Sequence, residues 1–349
     1  IVLGSTHSGR IGQVLVGTGK ATLEIVDPRQ GATRPVAFPD TVAEFRSAPF
    51  VFQDHAYVVI EDTLYAIDLA TRTRLWSWPS AGAATRHLTG SLWVQEHDLI
   101  QGTLLVVAGS AKEGVVTVGA DPTGRVVAYP RAVEGELTGQ PFADHVANHS
   151  IVYLPLGSEL AVFDNTAVAE QSAPQRLYSL RTRGDLVGRP VKATVGAAKR
   201  PVLLLGDTSG LVIAVDSDPN TVDTKRVVGT WPIEGTQPAT PVIDGRTAFV
   251  TVAEGRLLAL DLDHPGQQRW KFPTQGSFGS APGEAAVGRK GVYVVNTIGV
   301  LRCIDRETGK ERWRCDLGAP AVGGVATGGG MIFVALRTGF LCGFDEGDD

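Results

Sequence analysis

Apolar residues in this chain come in short runs broken by turn-forming residues, without the 3.6-residue spacing of an amphipathic helix. A representative stretch reads Pro241-Val-Ile, a turn at Asp244-Gly-Arg, Ala248-Phe-Val-Thr-Val, a turn at Glu254-Gly, Leu257-Leu-Ala-Leu-Asp261, a hairpin through His264-Pro-Gly, and Arg269-Trp-Lys-Phe. Val, Leu, Ile and aromatic runs bounded by Gly, Asp and Pro predict four antiparallel strands joined by tight turns. Runs such as Leu203-Leu-Leu and Val292-Tyr-Val-Val lack clean alternation. That predicts sheets covered on both faces.

The stretch recurs. Strands run into an aspartate or its stand-in at Asp27, Asp68, Pro130, Asp164, Asp216, Asp261, Asp305 and Asp345, with gaps of 41, 62, 34, 52, 45, 44 and 40 residues. An insertion before Pro130, roughly Gly109 to Gly124, accounts for the one long gap and the short one after it. Four strands per period of about 45 residues make one propeller blade. The expected fold is therefore all-β, a β-propeller of eight four-stranded blades, with seven as the alternative. A single domain over residues 1–349 follows, with blades near 1–40, 46–80, 89–135, 140–182, 188–233, 238–273, 279–316 and 319–349.

The cleanest copy of the unit is Leu301-Arg-Cys-Ile-Asp305-Arg-Glu-Thr308-Gly309-Lys310-Glu-Arg-Trp313, and a second is Leu64-Tyr-Ala-Ile-Asp68-Leu-Ala-Thr71-Arg-Thr-Arg-Leu-Trp76. It resembles the repeat of the quinoprotein-like propellers: a strand, Ala-Leu-Asp, two residues, Thr-Gly-Lys, two residues and Trp. The resemblance covers essentially the whole chain, with Arg72 and Thr73 replacing Gly and Lys in the second copy and Pro35 standing where the first repeat would place its docking aromatic. It implies that Trp76, Trp231, Trp270 and Trp313 dock one blade on the next, a role suited to a large apolar ring with one N–H to satisfy. The catalytic members are longer and combine a quinone with calcium ligands and often vicinal cysteines. Here Cys303, Cys315 and Cys342 are separated. The chain thus resembles the non-catalytic branch, typified by the outer-membrane assembly scaffold, and no catalytic residue, cofactor or metal is expected; a quinone-dependent or other small-ligand enzyme is the alternative.

Composition narrows the partner. With 43% hydrophobic and 20% charged residues the 349-residue chain fills a large core, and a net charge of -5 without a basic stripe argues against nucleic acid. No apolar run approaches a membrane span. The chain begins at Ile1 without a leader, which suggests a removed signal or anchoring helix and so an extracytoplasmic location. Abundant Ala, Gly, Val and Arg with one Met suggest a GC-rich bacterium.

Candidate chemistry is sparse. Cys303 and Cys315 flank the Thr308-Gly309-Lys310 turn, so either a cross-strand disulfide or two reduced core thiols fits. His145 and His149 lack the glutamate of a zinc-protease motif, and Asp216-Ser-Asp218-Pro-Asn220 lacks the glycine and final carboxylate of a calcium loop. A protein or cell-envelope partner is expected at turns between second and third strands, where Glu61, Asp62, Asp207, Glu254, Asn296 and Arg337 fall. Four residues after Asp345 are too few for a fourth strand, so Ile1-Val-Leu completes the last blade, its edge stays open, or the missing strand was removed with an N-terminal segment.

Overall fold

Every sheet is an antiparallel meander in which each strand pairs with its sequence neighbour, the pairing that short turns dictate. The computed structural model describes residues 14–18, 22–26, 33–37, 49–79, 87–96, 104–110, 114–120, 126–146, 149–164, 175–236 and 238–347. The chain forms two compact units, one of residues 1–157 with 161–179, the other of residues 158–160 with 180–349.

In the first unit, blade 1 holds Val14–Thr18, Thr22–Val26 and Thr33–Ala37; blade 2 holds Phe50–Phe52, His55–Ile60, Thr63–Asp68 and Thr73–Trp78. Blade 3 holds Leu88–Glu96, Leu104–Ser110, Gly114–Ala120 and Val126–Val133, and blade 4 Phe142–Val146, His149–Leu156, Glu159–Asp164 and Gln175–Arg181. In the second unit, blade 5 holds Leu186–Val195, Arg200–Asp207, Leu211–Asp216 and Val227–Pro232; blade 6 holds Val242–Asp244, Thr247–Val252, Arg256–Asp261 and Gln268–Phe272. Blade 7 holds Ala286–Val287, Val292–Val295, Val300–Ile304 and Glu311–Asp316, and blade 8 Ala326–Gly328, Met331–Ala335 and Leu341–Asp345. The fold is an all-β propeller of eight blades, and among the described residues blades 1 and 8 have three strands rather than four. No helix among the described residues is long and apolar enough to cross a membrane.

Blade 3 corrects the repeat register. Pro130 lies inside the fourth strand, Val126–Val133, and residues 109–124, an insertion by the sequence reading, include the whole of an ordinary third strand, Gly114–Ala120. Asp121, in Ala120-Asp121-Pro-Thr123-Gly124-Arg125, spells the turn code directly after that strand. With Asp121 in place of Pro130 the gaps become 53 and 43 residues, in line with the others. The proposed completion of the last blade by Ile1-Val-Leu lies outside the described residues.

The core sits between sheets. In Thr247–Val252, buried along its whole length, Ala248, Val250 and Val252 join Val202, Leu204, Val212 and Trp231 of blade 5. The alternate residue Phe249 packs instead with Ala285, Val292, Val294 and Ile304 of blade 7. Successive side chains point to opposite faces of a strand. A strand sandwiched in this way therefore shows no hydrophobic alternation. Burying each such Val, Leu or Ile contributes about 1.5–3 kcal/mol.

Candidate functional site

The repeated aspartate builds the turn between third and fourth strands. Asp305 Oδ1 accepts from the Glu307 N–H at 3.1 Å, the Thr308 N–H at 2.8 Å and the Thr308 hydroxyl at 2.9 Å, while Gly309 N–H reaches the Asp305 carbonyl at 2.9 Å. Asp68 repeats this with Ala70 and Thr71 N–H at 2.8 and 2.7 Å. Hydrogen bonds to the ionised form favour it. The Arg312 guanidinium, then the Thr308 donors, hold the Asp305 carboxyl well below its ordinary range, and the Thr71 N–H does the same for Asp68. At Asp216 and Asp261 burial works upward but is outweighed, by the Asp218 N–H and Arg200 in one and by His264, the Asp263 N–H and Arg269 in the other.

The turns receive the tryptophans of the preceding blades. Trp231, 0% exposed, donates its indole N–H to the Asp261 carbonyl of blade 6 at 3.2 Å. Trp270 of blade 6 donates to the Arg306 carbonyl of blade 7 at 2.9 Å and lies against Gly309, where an added Cβ would meet the ring at 2.6 Å. The glycine of the code is therefore the seat of an indole from another blade. Trp76 is buried among Leu88, Leu92, Val94 and Val106 of blade 3. Trp313 departs from the expectation: it is 39% exposed, beside Tyr293 of its own blade. The turn that would cover it follows Asp345, where only the opening hydrogen bond, Gly347 N–H to Asp345 Oδ1 at 2.9 Å, is present among the described residues.

The six polar residues expected at the turns after second strands separate into different roles. Glu61 is exposed in the left-handed region at φ 50°, and Asp62 lies 3.4 Å from His87. Arg337 is exposed, and Glu254 accepts from the Thr236 N–H and hydroxyl at 2.9 and 2.8 Å. Asp207 and Asn296 are not surface groups: they are 0% and 2% exposed and cap their own turns, because a tight turn leaves N–H groups that only a nearby side chain reaches. Asn296 Oδ1 accepts from Val300 N–H at 2.8 Å and its amide donates to the Phe278 carbonyl at 2.9 Å. Asp207 Oδ1 accepts from Ser209 N–H, Ser209 hydroxyl and Leu211 N–H at 3.0, 2.6 and 3.2 Å, while its buried Oδ2 has no partner.

Asp207→Asn is expected to stabilise the protein by about 1 kcal/mol, because the amide supplies the donor that Asn296 uses and removes a buried unsatisfied acceptor. An unchanged or lower denaturation midpoint would show that Oδ2 is better matched than its geometry indicates.

The remaining sequence candidates resolve by register. Cys303 pairs across the hairpin with Trp313 and Cys315 with Leu301, so the two thiols are not directly opposed, and all three cysteines are free. Burial pushes the Cys303 thiol pKa up, against a hydrogen bond with Tyr293. Of the two alternatives read from the sequence, this register fits two reduced thiols better than a disulfide between Cys303 and Cys315. His149 hydrogen-bonds Asp164 at 2.7 Å, and His145 lies on the neighbouring strand. In the Asp216 loop the buried Arg226 guanidinium occupies the centre, donating to the carbonyls of Asp218 at 3.2 Å, Pro219 at 3.4 Å and Thr221. Loop carbonyls that would face a cation face a guanidinium. Among the described residues no three His, Cys, Asp or Glu side chains gather in a metal-binding group.

Two exposed residues escaped the sequence reading. Ile298 and Phe340, at 68% and 70%, lie at the corresponding turns of adjacent blades 7 and 8, with exposed Arg337 three residues before Phe340 in the same turn. The available signal was an apolar residue inside a polar, glycine-containing turn, Thr297-Ile298-Gly299 and Thr338-Gly339-Phe340.

Comparison with known proteins agrees with this geometry. The family described as "Outer membrane protein assembly factor BamB" matches residues 262–348. A serine/threonine-protein kinase, AfsK of Streptomyces griseus, is 41% identical over 80 residues, spanning 22% of this chain and 9% of the relative. BamB from Moraxella catarrhalis is similar over 100% of both chains at TM-score 0.67 and 12% identity. A europium-containing methanol dehydrogenase is similar over 96% of this chain and 83% of its own, at TM-score 0.67 and 11% identity. With its repeated aspartate turns and with the indoles of Trp231 and Trp270 docked on the following blades, the chain has the β-propeller fold, and its residues 262–348 are similar to the BamB family.

Proposed function

We propose that this chain is a single-domain, non-catalytic, extracytoplasmic propeller that binds a protein or cell-envelope component through its second-to-third-strand turns. The observation that carries the reading is the pair Ile298 and Phe340, exposed apolar residues at corresponding turns of adjacent blades, with exposed Arg337 in the same turn as Phe340. The repeated aspartates and the buried tryptophans support it from the other side, since they are engaged in building blades. Exposed apolar groups with a neighbouring arginine are typical of protein contact surfaces. The kinase resemblance adds that an 80-residue stretch similar to part of this chain occurs within a much longer serine/threonine-protein kinase.

The test is a photo-crosslinking amino acid at position 340 in intact cells. A defined adduct with one envelope protein, lost on Ile298→Asp or Arg337→Glu, is the expected result. Adducts no different from those of a probe at exposed Val222, far along the chain in the blade 5 hairpin, would overturn it. The fold likeness to a methanol dehydrogenase motivates the second reading, a quinone-dependent enzyme. Quinone and calcium added to the purified protein would then raise its melting temperature.

A further inference from the structure

Cys315 and Cys342 sit on facing surfaces of blades 7 and 8. Leu301 and Val334 belong to the core cluster between these blades. Cys315 is the cross-strand partner of Leu301, and Cys342 that of Val334. Directly paired residues of an antiparallel sheet project to the same face. Each thiol therefore projects toward the opposing blade, one strand further out than the packed pair. Cys342 packs against that cluster, and both cysteines are only half-buried, within reach of a small oxidant. The two are also within electrostatic reach, since burial and then the Cys315 charge raise the Cys342 thiol pKa. Cys303 belongs to the same cluster but differs from this pair in being fully buried, with its thiol hydrogen-bonded to Tyr293, and is shielded from a dissolved oxidant.

We propose that Cys315 and Cys342 form a redox site that closes an interblade disulfide, fastening the three-stranded blade 8 to blade 7. With a small disulfide such as oxidised glutathione as oxidant, one cysteine thiolate attacks it, giving a mixed disulfide and one glutathione thiol. The other cysteine thiolate then displaces the second glutathione. The bond between the two Sγ atoms forms, the glutathione S–S bond breaks, and two electrons with the two cysteine protons pass to glutathione. Accessible thiols poised beside a resolving cysteine are those that respond to redox change.

The test is peptide mapping of the full chain after titration with oxidised glutathione, with Cys303→Ser and Cys342→Ser variants alongside. The expected product is a single linked pair of peptides containing Cys315 and Cys342, preserved in Cys303→Ser and replaced in Cys342→Ser by a glutathione adduct on Cys315. The oxidised wild type should also melt at a higher temperature than the reduced. A link that contains Cys303, or separate glutathione adducts on Cys315 and Cys342 in protein that retains its native near-ultraviolet circular dichroism, would overturn the proposal. The wild-type mapping needs no substitution to fold.

Discussion

Trp231→Ala is expected to lose about 3–5 kcal/mol of stability, whereas Trp313→Ala, the same substitution in a better-spelled copy of the repeat, is expected to lose less than about 2 kcal/mol. Trp231 is fully buried in the cluster that joins blades 5 and 6, with Val212, Ala214, Leu258 and Leu260 among its neighbours. Its removal leaves a cavity that close-packed strands on both sides cannot collapse into, and it deprives the Asp261 carbonyl of its indole donor. Trp313 is 39% exposed and packs on Tyr293 alone among the aromatics described. Guanidinium unfolding of both variants, read as midpoint shifts at constant slope, measures the difference. Equal losses would mean that the indole acts through its own blade rather than through the next one.

That contrast marks where the sequence is legible. The strands and the aspartate turns were readable because their chemistry is local: Asp305 binds residues two and three positions downstream, so the code is written in one short stretch. The fate of each tryptophan was not, because its cover comes from another blade. Trp76 and Trp313 follow nearly the same spelling, yet one is buried and the other half-open. Pro130 was misplaced because Val126-Val-Ala-Tyr129 has the apolar character of any strand, and only the Asp121-Pro-Thr-Gly motif upstream distinguishes third from fourth. Asp207 and Asn296 looked like solvated turn tips by residue type, but burial at a turn depends on the segment that packs over it, which for Asn296 includes Phe278. Ile298 and Phe340 carried the opposite signal, apolar in a place where folding requires nothing apolar.

The glycine of the turn code gives the second large effect, with a built-in control. Gly309 sits at φ +68°, and a methyl group there would approach Trp270 Cδ2 at 2.6 Å and Cγ and Cε3 at 2.8 Å. Gly309→Ala thus combines left-handed backbone strain, about 1–2 kcal/mol, with overpacking of a seated indole, about 1–3 kcal/mol, for an expected loss of about 2–5 kcal/mol. At the matching position of blade 2 the chain already holds a non-glycine residue, Arg72, at φ 61°. The last described strand of blade 1, Thr33–Ala37, carries no tryptophan to occupy that seat, so the arginine bears the strain without the clash. Its Nε is also buried without a partner. Arg72→Gly is therefore expected to shift stability in the opposite direction, a gain of about 0.5–1 kcal/mol once the extra freedom of an unfolded glycine is offset. Thermal and denaturant midpoints of the two variants decide the matter: a Gly309→Ala loss no larger than backbone strain alone would show that the Trp270 ring yields freely, and that glycine serves the turn rather than the joint between blades.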